Sequence, residues 1–431
     1  MTHRTERLLT VGALARVEGE GALHLAVRDG EVEEVRLEIY EPPRYFEALL
    51  RGRRYTEPPD LTSRICGICP VAYQMSACQA VENACGVLVD GQLAQLRRLL
   101  YFGEWIESHT LHIYLLHAPD FLHLPDALAL ARTDAPLLQR GLRLKKAGNE
   151  IVEVLGGRAI HPVNIRLGGF HRLPTRAELD HLATVLRQAR TDAEDTLGWV
   201  AGFDFPPLTV RHELLALADP GGYAIDSGTP TGTSAGPFPV ADFEQRVREH
   251  QVPHSTALHA TLDGRPHLTG PLARWNLSGD RLPTGIRALA DEAGLGPRCD
   301  NPFRSIVIRA AEVLWAVTEA QRIIERYEPP PAPAVPVPPR AGTGYGATEA
   351  PRGLLYHRYD IGEDGLIRRA VIVPPTAQNQ SAIEADLRVF VEPRLHLDDA
   401  ELTRQCEQAI RNYDPCISCA AHFLNLTVDR R

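Results

Sequence analysis

Between residues 8 and 40 apolar and polar positions alternate: Leu23, Leu25 and Val27 lead into Asp29-Gly30, and Val32, Val35 and Leu37 follow. A period of two broken by Asp-Gly marks an antiparallel hairpin, so the chain is expected to open with a small sheet. The period then changes. From about Cys78 to Leu116 and from about Pro136 to Leu155, apolar residues recur at three- and four-residue intervals, which predicts long amphipathic helices. The same spacing returns over 176–200, 240–250 and 303–326, where Ile306, Ala310, Val313, Val317, Ala320 and Ile324 would line a buried face. Residues 203–300 are otherwise rich in Gly and Pro and harder to read. The polyproline run from Pro329 predicts a stiff, exposed connector over 329–340. Gly353 to Val373 reads as a second hairpin around Glu363-Asp364-Gly365, and a last helix over 398–412 delivers the chain to Asp414-Pro415. No internal repeat is visible. The expected fold class is α+β, mainly α-helical, with small antiparallel sheets near the N-terminus and before the C-terminus.

Composition narrows this only a little. With 431 residues, 44% hydrophobic and 23% charged, the chain falls in the globular range and is long enough for a large core. A net charge of −9 without any Lys/Arg run argues against nucleic acid as a partner. No stretch approaches 18 consecutive apolar residues, and Met1 to Arg7 lead into no apolar signal core. The expectation is a chain that does not span a membrane and works in the cytoplasm; export in complex with a signal-bearing partner is the other route.

Eight cysteines change the picture. Four form two Cys-x-x-Cys pairs, Cys66/Cys69 in Arg64-Ile65-Cys66-Gly67-Ile68-Cys69-Pro70 and Cys416/Cys419 in Asp414-Pro415-Cys416-Ile417-Ser418-Cys419-Ala420-Ala421-His422. Such pairs in a large chain without a signal peptide read as metal or redox chemistry before a disulfide scaffold. Two thiolates from each loop select zinc, iron-sulfur clusters or soft transition metals. A structural zinc site competes, but zinc ribbons place their pairs about 15–20 residues apart, against about 350 here. Cys78, Cys85, Cys299 and Cys406 are scattered and read as buried core residues.

The two cysteine strings resemble the signatures of the nickel-iron hydrogenase large subunits, R-x-C-G-x-C near the N-terminus and D-P-C-x-x-C-x-x-H at the C-terminus. Further strings stand in family order: Arg16-Val17-Glu18-Gly19; Tyr45-Phe46-Glu47 with Arg51-Gly52-Arg53; His109-x-x-His112-x-Tyr114-x-Leu116-x-x-x-Asp120; Gly157-Arg158-Ala159-Ile160-His161-Pro162; and Ala350-Pro351-Arg352-Gly353. The resemblance spans the whole chain and implies one catalytic-subunit domain over 1–431. Seven short strings in order carry it, where any one alone is weak.

What the resemblance implies can be placed residue by residue. Cys66 and Cys416 would bind nickel terminally, and Cys69 and Cys419 would bridge nickel to an iron that carries cyanide and carbon monoxide. Heterolytic cleavage of hydrogen yields a hydride and a proton, so a base must stand beside the metal. Cys416 is the nearest candidate base, and Glu18 matches the family carboxylate that carries the proton away. Arg352, after Pro351, would lie over the open metal face and hydrogen-bond a cyanide, with Thr376 the hydroxyl donor to the other. Asp120 and Asp414 match the acids around that arginine, where a buried cation needs compensation. Glu47 and His422 would hold a separate Mg2+ (or Fe2+), with a carbonyl near Val371 as a third ligand. Taken singly, Glu18, Arg352, Thr376 and His422 read as ordinary surface or turn residues; the motif set changes that reading. The chain departs from many relatives at Tyr73, where they carry His. Residues 423–431 match a tail that many relatives remove after metal insertion.

Once four cysteines are assigned to the metal centre, no cluster-binding set remains for onward electron transfer. The resemblance therefore implies an iron-sulfur small subunit, and its cytoplasmic bidirectional branch implies flavin and NAD(P)-binding diaphorase subunits, with H2 as substrate. Two alternatives stay open on sequence: a metal-free quinone-oxidoreductase relative of the same fold, whose branch has lost these cysteines, and a zinc-stabilised scaffold.

Overall fold

The computed structural model describes residues 6–41 and 45–421. The N-terminal alternation folds as expected, but into three strands rather than two. Glu6–Val11 pairs antiparallel with Gly21–Arg28, which pairs antiparallel with Glu31–Ile39. Leu23, Leu25, Leu37 and Ile39 are buried, and Asp29 and Gly30 turn the chain with φ of +53° and +84°.

The helical body follows. The apolar run expected as one helix from Cys78 to Leu116 is two helices, Pro70–Cys85 and Gly91–Leu111, because Gly86 takes a left-handed φ of +70° and stops the first. The second passes into a π-turn over His112–His117, a wider turn that is often found at functional sites. Helix Ala135–Gly156 starts at Asp134, whose side chain accepts from Leu137 N, and Arg176–Ala201 starts in a capping box of Thr175 and Glu178. Helix Ser305–Glu325 is apolar nearly all round and runs through the core against Gly91–Leu111 and Arg176–Ala201.

One expectation needs correction. Residues 240–250 form only Val240–Asp242 and the single turn Phe243–Arg246 before a strand, Val247–His250, that pairs with His259–Leu262. Cross-strand pairing of Val247 with Leu262 there overrides helical spacing. The connector over 329–340 is mostly exposed but not free: Phe170 N donates to Pro333 O and Val335 N to Gly168 O. The unreadable region holds a further sheet in which Glu213–Ala218 pairs antiparallel with Thr229–Gly232 and parallel with His267–Leu268.

The second hairpin, Gly353–Ile361 with Ile367–Val373, gains a third strand, Gly342–Ala350, that the pattern did not announce. That strand is glycine-rich because the Pro70–Cys85 helix lies directly on it. A Cβ at Gly346 would stand 2.3 Å from Ser76 O. Helices Pro375–Val391 and Asp399–Arg411 then close the chain over the N-terminal sheet. Among the described residues, no helix is long and apolar enough to cross a membrane.

Gly346→Ala should push this helix off its strand at a cost of about 1–3 kcal/mol, read as a lower unfolding midpoint. An unchanged midpoint would show that the helix is not seated there as tightly as the contact implies.

Candidate metal centre

Cys66 and Cys69 occupy the loop between the turn Ser63–Ile65 and the helix beginning at Pro70. Proline at the first helical position needs no amide partner, and the next two amides, Val71 and Ala72, donate to buried Glu104 at 2.6 and 3.0 Å. The amides of Ile68 and Cys69 donate to Cys66 Sγ at 3.3 and 3.4 Å, an arrangement that favours a thiolate. His161 secures the loop from outside, with Nδ1 2.7 Å from Ser63 O.

The C-terminal pair is held from many sides. Asn412 O accepts from Ser305 Oγ at 2.7 Å and Arg309 Nη1 at 3.1 Å, and His112 Nε2 lies 2.7 Å from Arg411 O. Asp414 then adopts φ +50° and turns the chain. Cys416 N donates to Thr376 Oγ1 at 3.0 Å, Ile417 N to Glu18 O at 2.9 Å and Ser418 N to Glu18 Oε2 at 3.1 Å.

These contacts bring four sulfurs from the two ends together. Cys66 Sγ lies 3.5 Å from Cys416 Sγ, Cys69 Sγ lies 3.8 Å from Cys419 Sγ, and all four fall within 4.8 Å of one another, buried. Cys66 is held well below the usual thiol range, first by its hydrogen bond with Cys416, while burial pushes Cys416 and Cys419 well up. Four thiolates cannot share so small a dry volume without a cation, so the donor set fits a bound soft metal centre. The other four cysteines are also buried and free, as expected of core residues.

Glu18 is the carboxylate at the cluster: its Oε2 accepts from Cys416 Sγ at 3.1 Å. Arg352 is 2% exposed and donates through Nε to Asp414 O at 2.8 Å and through Nη2 to Asp414 Oδ1 at 3.1 Å. Burial opposes its charge, but Asp414, then the sulfurs of Cys416, Cys69 and Cys66, outweigh that and hold its pKa above the usual range. Its Nη1 has no hydrogen-bond partner among the described residues. An orphaned buried donor costs about 1–3 kcal/mol, and it fits a ligand of the metal centre.

Asp120 accepts from Arg411, 1% exposed on the last long helix, at 2.7 and 2.9 Å and also pairs with Arg16. Glu47 accepts from Ile372 N at 2.8 Å, beside a cavity of about 250 Å³ that Cys419 and Ala421 also line. His422 and residues 423–431 lie outside the described residues. Tyr73 is buried, its ring 5.7 Å from that of His357, with no hydrogen-bond partner for its hydroxyl among the described residues. Burial, then Cys419 and Cys69, push its pKa well up, so it stays a protonated donor.

Sequence reading missed what holds the Pro351-Arg352 loop. Arg274 donates to Pro351 O at 3.0 Å and Ala350 O at 3.1 Å, and pairs with Glu312 at 2.7 Å and Glu349 at 3.0 Å, with Trp105 under its guanidinium at 4.4 Å. Burial works against the Glu312 charge, yet Arg274 holds its pKa below the usual range. Gly353 follows with φ +139°, its α-carbon facing Thr269 so closely that a Cβ would stand 2.6 Å from Thr269 Cγ2. Arg274 lies in the Gly/Pro-rich region without a period; the only signal was the His109 motif, since His109 Nε2 meets Glu312 at 2.9 Å.

Comparison with known proteins agrees with this geometry. The family model described as nickel-dependent hydrogenase matches residues 44–141 and 317–422. The alpha subunits of sulfhydrogenases 1 and 2 of Pyrococcus furiosus are 32% and 33% identical over 97% of this chain and 98% and 100% of theirs. The solved NAD+-reducing [NiFe]-hydrogenase in its H2-reduced state matches with TM-score 0.88 and 27% identity, over 96% of this chain and 99% of that one.

Arg274→Met leaves two buried carboxylates without their cation and is expected to destabilise the protein by about 3–5 kcal/mol, measured by denaturant unfolding. A variant as stable as the parent would mean that other contacts hold the Pro351-Arg352 loop.

Proposed function

The chain belongs to the nickel-dependent hydrogenases as their large, catalytic subunit, and from that premise we propose a residue-level account of how it handles H2. The observation that carries it is the 3.1 Å contact between Cys416 Sγ and Glu18 Oε2. Cys66, Cys69, Cys416 and Cys419 would hold the nickel-iron centre, with Cys66 and Cys416 assigned to nickel alone and Cys69 and Cys419 shared with iron. The sulfur pairing, Cys66 with Cys416 and Cys69 with Cys419, supports that division. A nickel-iron centre bound there supplies the electrophile for heterolytic cleavage of H2 and takes its two electrons.

The chain's own groups manage the proton and the charge. Cys416 Sγ takes the proton and passes it to Glu18 Oε2, which Ser418 N keeps aimed at the sulfur. Ser418 Oγ donates to Glu41 Oε1 at 3.0 Å, so a second carboxylate stands next on the way out. Arg352, fixed by Asp414, would present its remaining N–H donor to a cyanide of the iron, and the Thr376 hydroxyl, which accepts from Cys416 N, would donate to the other. Asp120 acts at one remove, neutralising Arg411 at the entry to the cysteine segment. Carbon monoxide would complete the iron ligands, and Glu47 with His422 would hold Mg2+ (or Fe2+).

Electrons leave through an iron-sulfur small subunit; the naming of the curated relatives as alpha subunits supports such a partner. Passage onward through flavin-bearing diaphorase subunits to NAD(P), in the cytoplasm, is supported by the likeness to the NAD+-reducing hydrogenase. Removal of residues 423–431 after metal insertion belongs to the same reading.

Cys416→Ser should abolish nickel retention in the purified complex, by elemental analysis; full nickel content would remove Cys416 from the ligand set. Glu18→Gln keeps shape and hydrogen bonding but cannot ionise. It should keep its metals and a normal infrared signature of the iron ligands, yet lose hydrogen oxidation and hydrogen-deuterium exchange with water by about 100-fold or more. Near-parental exchange would mean that protons leave through another group.

A further inference from the structure

Away from the cysteines, His254, His259 and Glu384 form a second cluster with metal-ligand chemistry. One ligand atom from each lies within 4.8 Å of the others. His254 Nε2 lies 2.9 Å from Glu384 Oε1, which also accepts from Leu37 N at 2.8 Å. His259 is 3% exposed; its Nδ1 lies 3.1 Å from Ser381 Oγ, and its Nε2 has no hydrogen-bond partner among the described residues. An ordinary His254–Glu384 ion pair leaves that buried nitrogen unexplained.

We propose that His254, His259 and Glu384 bind a divalent first-row cation, best Zn2+, in a structural site separate from the four cysteines. Ligand atoms about 2.0–2.2 Å from a tetrahedral zinc stand about 3.3–3.6 Å from one another, so the 2.9 Å His254–Glu384 pair would open slightly to admit the ion while all three ligand atoms already lie within 4.8 Å. Ser381 engages one nitrogen of His259 and leaves the other for the metal, the usual arrangement of a ligating histidine. His250, whose ring is 5.9 Å from that of His259 on the paired strand, or water completes the shell. The ion has a way in: His254 lines a surface recess with Pro253, Glu34, Arg36 and Glu38, in which carboxylates outnumber the single guanidinium.

The site joins three parts of the fold: the Val247–His250/His259–Leu262 hairpin, the Pro375–Val391 helix and, through Leu37, the N-terminal sheet. The loop inside that hairpin is where the C-terminal segment docks, since Ala257 bridges to Ala421 and Thr256 N donates to Ile39 O at 2.7 Å. The cation therefore stiffens the shelf on which Ala421, two residues after Cys419, is seated.

The test uses the purified hydrogenase complex, chelator-treated and titrated with Zn2+ alone, with nickel and iron followed in the same samples. One Zn2+ per large subunit is expected at constant nickel and iron, with only nitrogen and oxygen neighbours in zinc X-ray absorption. His259→Ala and Glu384→Gln should each abolish that binding, and Ser381→Ala should weaken it about 10–100-fold, with hydrogen oxidation retained. Glu384→Gln preserves the acceptor for Leu37 N and so keeps the test valid if the alanine variant folds poorly. Sulfur neighbours, no saturable Zn2+ binding by the parent, or undiminished binding by Glu384→Gln would overturn the assignment.

Discussion

Four sulfurs separated by about 350 residues of chain have to meet inside a dry volume less than 5 Å across. Left to themselves they repel once ionised, and burial raises the cost of every charge among them. The rest of the molecule answers that constraint. The backbone amides of Ile68 and Cys69, just before the Pro70–Cys85 helix, point at Cys66, the Arg352 guanidinium faces the sulfurs, and a bound cation completes the neutralisation.

Around the cluster, three buried ion-pair groups do the positioning. Arg352 with Asp414, Arg411 with Asp120, and Arg274 with Glu312 and Glu349 are each almost wholly removed from water. Desolvation makes such pairs poor sources of net stability, but breaking one leaves an uncompensated charge, so each is strongly selective for one arrangement. The arrangement selected is the docking of 411–421 against the N-terminal sheet, the π-turn and the strand loop of Arg352. Geometry at the metal is thus set by charges that touch no substrate.

The surroundings are also asymmetric. The sulfurs are buried, yet Glu18 is only half-buried and is followed by Ser418 and Glu41 toward the surface, so the carboxylate side opens while the arginine side stays sealed. Tyr73 and His357 form a third, polar wall near the Cys69/Cys419 pair. A site that must release protons and retain electrons for a partner benefits from that division.

Periodicity alone located the opening sheet and the helices Ala135–Gly156, Arg176–Ala201, Ser305–Glu325 and Asp399–Arg411, because each shows one face to the core for several turns and carries a local start or stop. Spacing singled out both cysteine pairs and resemblance Glu18 and Arg352, since those chemistries sit in short local strings. The Gly342–Ala350 strand was not legible because its glycines answer to a helix from elsewhere in the chain, not to a period of their own. Nor were Arg274, the pairing of Asp120 with Arg411, or the joining of His254 and His259 to Glu384: each depends on which distant charge or nitrogen packing brings within reach. Local pattern states what a segment will bury; only the packed core decides against whom.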